Sequence, residues 1–176
     1  MATRKINAAL SLLVTLLLLV HAFLNSVWLL PFSETTKPMG FVSWVLAGAL
    51  VLHVFISIDL AISGHMDGKK GKSKNYPKLN TPTIVQRVTG VLMIIFTGLH
   101  VSGAAGLTHP PQIVHAILPP LFFTLVFAHV AVSTSKAFIT LGIGNAKFIK
   151  VADIVTKVVC IFTLISDIVG FYLYRY

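Results

Sequence analysis

Five long stretches of this chain are almost wholly apolar, and its polar residues gather between them. The stretches run over roughly 8–30, 40–62, 84–106, 113–135 and 151–174. Crossing the hydrocarbon layer as a helix takes about 20 mostly apolar residues, which each of them supplies. No alternation of apolar and polar positions, the mark of a strand, competes over those lengths. The pattern predicts an all-α integral membrane fold: a five-transmembrane-helix bundle forming a single domain over residues 1–176.

The boundaries carry their own signals. The opening MATRKINAALSLLVTLLLLV starts like a secretory leader. Its apolar stretch continues through Trp28 and Leu30, beyond the roughly 7–15 residues of a leader core, so it reads as the first spanning helix. GHMDGKKGKSKNYPKLNTPT, between the second and third stretches, is rich in Gly, Lys and Pro and reads as a loop. Pro82 falls near the start of the third helix, where proline is tolerated. Pro110 and Pro111 mark the entry to the fourth. Pro119 and Pro120 fall inside it; since Lys136 sets its inner end near residue 136, an early start with a proline kink is expected.

Composition and charge narrow the class. Of 176 residues, 56% are hydrophobic and only 11% charged. The mean hydropathy of +0.87 excludes an ordinary soluble domain. The formal net charge of +9 does not point to nucleic acid, because the cations flank the apolar stretches. Arg4 and Lys5 precede the first; Lys69, Lys70, Lys72, Lys74 and Lys78 follow the second; Lys136, Lys147 and Lys150 lie at or beyond the end of the fourth. The other two loops hold only Lys37, balanced by Glu34. By the positive-inside rule the N-terminus and the basic loops are cytoplasmic, facing anionic lipid, and the C-terminus with Arg175 lies outside. Cys160 is the only cysteine, so there is no internal disulfide and no Cys-ligated iron–sulfur or zinc site. Any metal must be held by histidine.

Two short segments echo each other: HVFIS at 53–57 and HVAVS at 129–133, each deep in an apolar stretch. Four of the seven histidines lie at such depth, one per helix: His21, His53, His100 and His129. Ionisable groups inside a membrane are rare and mark functional sites by default. At 1.5 Å per residue from the inner boundary, His53 stands about 14 Å up and His129 about 9 Å; His21 stands about 20 Å up and His100 about 24 Å. Helices 2 and 4 thus supply an inner pair and helices 1 and 3 an outer pair, about 10 Å apart. Two stacked pairs of neutral imidazoles suit two haems, each with two axial histidines. Ser57 and Ser133 share a helix face with their histidines and leave room for a flat macrocycle. The bland alternative, histidines that merely hydrogen-bond neighbouring helices, fits one such residue better than four at two matched depths. A respiratory cytochrome b scheme, with two ligands on one helix, is served by His115 and His129. It fails at His53 and His65, which lie about 120° apart on the helix, and it leaves His21 and His100 unused.

The segment QRVTGVLMIIFTGLH, residues 86–100, resembles the third helix of the single-chain diheme cytochrome b that anchors succinate:quinone oxidoreductases and fumarate reductases. The family pattern is Gln-Arg-x-Thr-Gly, about nine apolar residues, then a haem histidine; here it is Gln86, Arg87, Thr89, Gly90 and His100. The preceding loop, with Asn75, Tyr76 and Pro77, fits as well, and the likeness runs in order through all five helices. Many members carry glycine where this chain has Ser57 and Ser133.

The resemblance implies an inner haem b on His53 and His129 and an outer haem b on His21 and His100. It places Arg87 and Lys136 at a haem propionate, with His65 within possible reach. Bidentate guanidinium contact suits a carboxylate. Glu34 and His109 are outer-loop groups that could exchange protons with a quinone, menaquinone by the resemblance. Asp59 and Asp167 lie in apolar stretches with no assigned role. The implied partners are a flavoprotein subunit and an iron–sulfur subunit on the cytoplasmic face of a bacterial inner membrane. They would carry the FAD and iron–sulfur clusters, for which this chain has no motif. Two other classes compete. A diheme anchor of a nitrate reductase or hydrogenase places its ligands on two helices rather than four. A haem-free transporter or scaffold bundle would show no b-type spectrum.

Overall fold

The computed structural model describes the backbone of residues 2–28, 39–69, 81–104 and 112–174. It describes the side chains of all these except 25–28, 39, 64–69, 82, 103, 104, 112–116 and 174. The described residues form five helices: α1 (Ala2–Trp28), α2 (Met39–Lys69), α3 (Thr81–Ala104), α4 (Gln112–Leu141) and α5 (Ala146–Tyr174). Each contains a segment long and apolar enough to cross a membrane: Ala2–Leu24, Gly40–Ser63, Thr83–Ser102, Ile117–Leu141 and Ala146–Leu173. Helices suit that setting because every backbone N–H and C=O in the segment is satisfied without water.

The helices outrun the apolar stretches that predict them. α1 begins at Ala2 rather than near 8, and α2 continues through residues 64–69, which read as loop in the sequence. α4 runs to Leu141, and α5 starts at Ala146 rather than near 151. Hydropathy marks where lipid ends; the hydrogen-bond ladder continues beyond that edge, through Ala, Arg and Lys in α1 and through Ala and Lys in α4 and α5. Pro119 and Pro120 lie inside α4, so this helix takes the early start.

A four-residue link turns α4 into α5. Gly142, at a positive φ of 72°, donates its N–H to Ile139, and Ile143 donates to Phe138. This double bond to the last helical carbonyls is a Schellman stop, which requires the left-handed conformation that glycine adopts without a Cβ clash. Asn145 then caps α5 by accepting the Phe148 N–H at 2.9 Å. The tight link makes α4 and α5 antiparallel neighbours. Ser135 donates to Asp153 at 3.0 Å across them, and the Phe138 and Phe148 rings meet edge to face.

α4 is the hub of the bundle. It packs on α1, α3 and α5, and α1 also packs on α2 and α5. The core lies at the α1–α4–α5 junction, where Ala22, Phe127, Val130 and Cys160 are buried and Leu18, Leu19, Phe123 and Leu164 lean on them. α2 and α3 flank this junction without meeting. Among the described residues no Cα of α2 lies within 8 Å of a Cα of α3 or of α4, and none of α1 within 8 Å of α3.

α1 and α2 keep a regular antiparallel register. Asn7 meets Ser57, and fourteen residues further along α1, His21 meets Ser43, fourteen residues back along α2. Asn7 and Ser57 bond reciprocally: Asn7 Nδ2 donates to Ser57 Oγ at 3.1 Å, and Ser57 Oγ donates to Asn7 Oδ1 at 3.3 Å. In hydrocarbon, polar side chains on facing helices hydrogen-bond across the interface and hold its register.

Candidate metal centre

Phe122, His129 and Lys136 follow one another at intervals of seven along α4, so they share one face two turns apart. That face meets α3 at three levels. At the first, Lys136 Nζ donates to Thr83 Oγ1 at 3.1 Å and to Gln86 Oε1 at 2.9 Å. At the second, His129 Nδ1 lies 3.0 Å from Thr89 Oγ1. Phe122 marks the third, its ring stacked on Phe96 at 6.4 Å and tilted against His100 at 5.3 Å.

The second level is the tightest. Thr89 is buried, at 8% exposure, and Gly90 beside it faces the imidazole. A Cβ on Gly90 would stand 3.3 Å from His129 Cε1. The Thr-Gly step of the QRVTG motif therefore forms the seat of His129: one residue supplies a hydroxyl, and the next supplies clearance.

His53 comes to His129 from α2. The two rings interact electrostatically although their helices do not pack directly. Nδ1 of His53 is buried and has no hydrogen-bond partner among the described residues. Ser57, one turn along α2, is turned to Asn7, and Ser133, one turn along α4, bonds back to the His129 carbonyl. Both serine hydroxyls are thus engaged with protein.

The other two membrane histidines lie at a separate level. His21 Nδ1 is 3.3 Å from Ser43 Oγ, and Ser43 precedes His53 by ten residues, about 15 Å along the α2 axis. His100 rests against Phe122, seven residues before His129, about 10 Å along α4. Their helices, α1 and α3, stand apart.

Arg87 is exposed beside the seat and interacts electrostatically with Lys136. Asp59 is exposed on α2, whereas Asp167 is buried at 7% exposure on α5. His65 lies in the last turns of α2, with its side chain outside the described residues, as are Glu34 and His109 altogether.

Three residues escape a reading by depth alone: Asn7, the partner of Ser57, and the histidine neighbours Ser43 and Phe122. The seven-residue spacing of Phe122, His129 and Lys136 was the available signal for the last. The matched fourteen-residue steps on α1 and α2 were the signal for the first two.

Among the described residues no three His, Cys, Asp or Glu side chains converge as a metal-ion cage. Haem iron takes only two axial ligands from protein, and two neighbouring imidazoles, one with a buried nitrogen that has no hydrogen-bond partner among the described residues, fit that demand. Comparisons with protein-family models, with curated proteins and with solved structures match this chain to none of them.

Proposed function

We propose that the chain is the membrane anchor and electron-transfer subunit of a succinate dehydrogenase or fumarate reductase, holding two haems b. The observation that carries this reading is the relation of His53 to His129. Two imidazoles interact across helices that do not pack together, and one keeps a buried nitrogen without a hydrogen-bond partner among the described residues. Leaving such a group unsatisfied costs about 1–3 kcal/mol, and the great majority of buried polar atoms are paired. A ligand between the rings relieves that cost. The Gln86–His100 pattern and the placement of one histidine on each of four helices support the same reading.

Bound haem would supply one-electron exchange between a partner's iron–sulfur cluster and a membrane quinone. The chain's own residues then divide the work. His53 and His129 hold the inner group, and His21 and His100 hold the outer one. Arg87 and Lys136, at the mouth of the α3–α4 seam, offer cations to carboxylates there; Thr83 and Gln86 aim the Lys136 ammonium. The basic segment 69–78 and the N-terminus face the cytoplasm of a bacterial inner membrane, beneath the flavoprotein and iron–sulfur partners.

A reduced-minus-oxidised visible spectrum of the purified full chain tests the haem assignment. The expected result is b-type bands with two haems per chain; their absence overturns the reading. Co-purification with the partner subunits and a succinate-to-quinone assay then separates this complex from other respiratory oxidoreductases.

A further inference from the structure

Thr89 has one hydroxyl proton and three oxygen or nitrogen neighbours that could share it. Its Oγ1 lies 2.7 Å from the Val85 carbonyl, 3.3 Å from the Gln86 carbonyl and 3.0 Å from His129 Nδ1. The Val85 carbonyl is the nearest and can only accept, so the proton goes there. Toward His129, Thr89 Oγ1 then has only lone pairs to offer. An imidazole nitrogen facing an acceptor must carry the hydrogen itself. With Nδ1 protonated in a neutral ring, Nε2 holds the free lone pair.

We infer that Thr89 is a positioning residue: its hydroxyl, spent on Val85, fixes His129 as the Nδ1–H tautomer and so presents Nε2 as the ligating nitrogen. Gly90 holds the ring plane by its close approach to Cε1. The consequence for the inner haem rests on the proposed function above: His129 donates from Nδ1 to Thr89, which raises the basicity of its ligating nitrogen. A more basic ligand favours the ferric state and lowers the potential of that haem.

The test uses the full chain with ¹⁵N-labelled histidine in lipid nanodiscs, as the parent and as Thr89→Val and Thr89→Ser variants. His129→Gln identifies the resonance. In haem-free protein the parent His129 is expected as Nδ1–H; Thr89→Val moves it to the Nε2–H form and Thr89→Ser restores the parent form. A parent His129 in the Nε2–H form overturns the inference whatever the haem content. In haem-loaded protein, Thr89→Val raises one of the two potentials, leaving a several-fold larger reduced fraction of that component at the parent's midpoint. The other component is unmoved, and Thr89→Ser reverses the change. Two haems with unshifted potentials in Thr89→Val overturns the tuning role. A parent chain that binds no haem but shows the Nδ1–H tautomer defeats the electron-transfer reading and upholds the assignment of Thr89.

Discussion

α3 passes beneath the His129 imidazole at Gly90, where a Cβ would stand 3.3 Å from Cε1 and 3.6 Å from Nδ1. The first distance is tighter than ordinary van der Waals contact, so any side chain at position 90 moves the ring. Gly90→Ala is expected to keep two haems while shifting the spectrum of one, because the ring yields by a few tenths of an ångström. Gly90→Leu is expected to displace the ring and leave one haem per chain. Haem quantitation with low-temperature spectra reads both, and a Gly90→Leu protein with two unaltered haems contradicts the seat.

Histidine pairing predicts which losses coincide. Replacing His53 or His129 by alanine removes the same redox component, and replacing His21 or His100 removes the other. Potentiometric titration of the four variants assigns each loss. The two-level arrangement is wrong if His53→Ala and His21→Ala abolish the same component.

The reciprocal bonds of Asn7 and Ser57 join α1 to α2 near one end of their interface. Single replacements by alanine are expected to destabilise the fold and the double replacement to cost less than their sum. The coupling is about 0.6 kcal/mol, the average for side-chain hydrogen bonds between membrane helices. Unfolding in mixed micelles measures the cycle, and strictly additive losses would show that the pair contributes nothing as a pair.

Both glycines of the α4–α5 link have positive φ, 72° at Gly142 and 81° at Gly144. Alanine at Gly142 meets no atom within 4 Å and is expected to cost about 1 kcal/mol through its backbone conformation. At Gly144 a Cβ also runs into the Phe148 ring, so Gly144→Ala is expected to cost more. The extra cost should shrink in a Phe148→Ala background. Equal unfolding midpoints for the Gly142→Ala and Gly144→Ala proteins would refute the clash.

Much of the fold is local and therefore readable along the chain. An apolar run of about 20 residues must cross as a helix because lipid offers no partner to a free N–H or C=O. That constraint acts within each run, so the five helices and their order follow from it. Helix ends are less readable: the segment 64–69 is polar yet helical, because the hydrogen-bond ladder does not stop where hydropathy does. The end of α4 is an exception, since Gly142 and Asn145 announce a stop and a start by their own chemistry.

By itself the sequence determined which residues are expensive to bury. His21, His53, His100 and His129 stand out at any reading because an imidazole in hydrocarbon demands a partner. Their sorting into levels also follows from rise per residue alone. Tertiary structure decided who the partners are. Thr89 is forty residues from His129 and Gly90 thirty-nine, Ser43 is twenty-two from His21, and Asn7 is fifty from Ser57. No local rule links such positions. They meet because α3 packs on α4 and α1 on α2, while α2 and α4 stay apart. Helix rotation and neighbour choice arise from the summed packing of whole faces, a quantity that no single stretch of the chain contains.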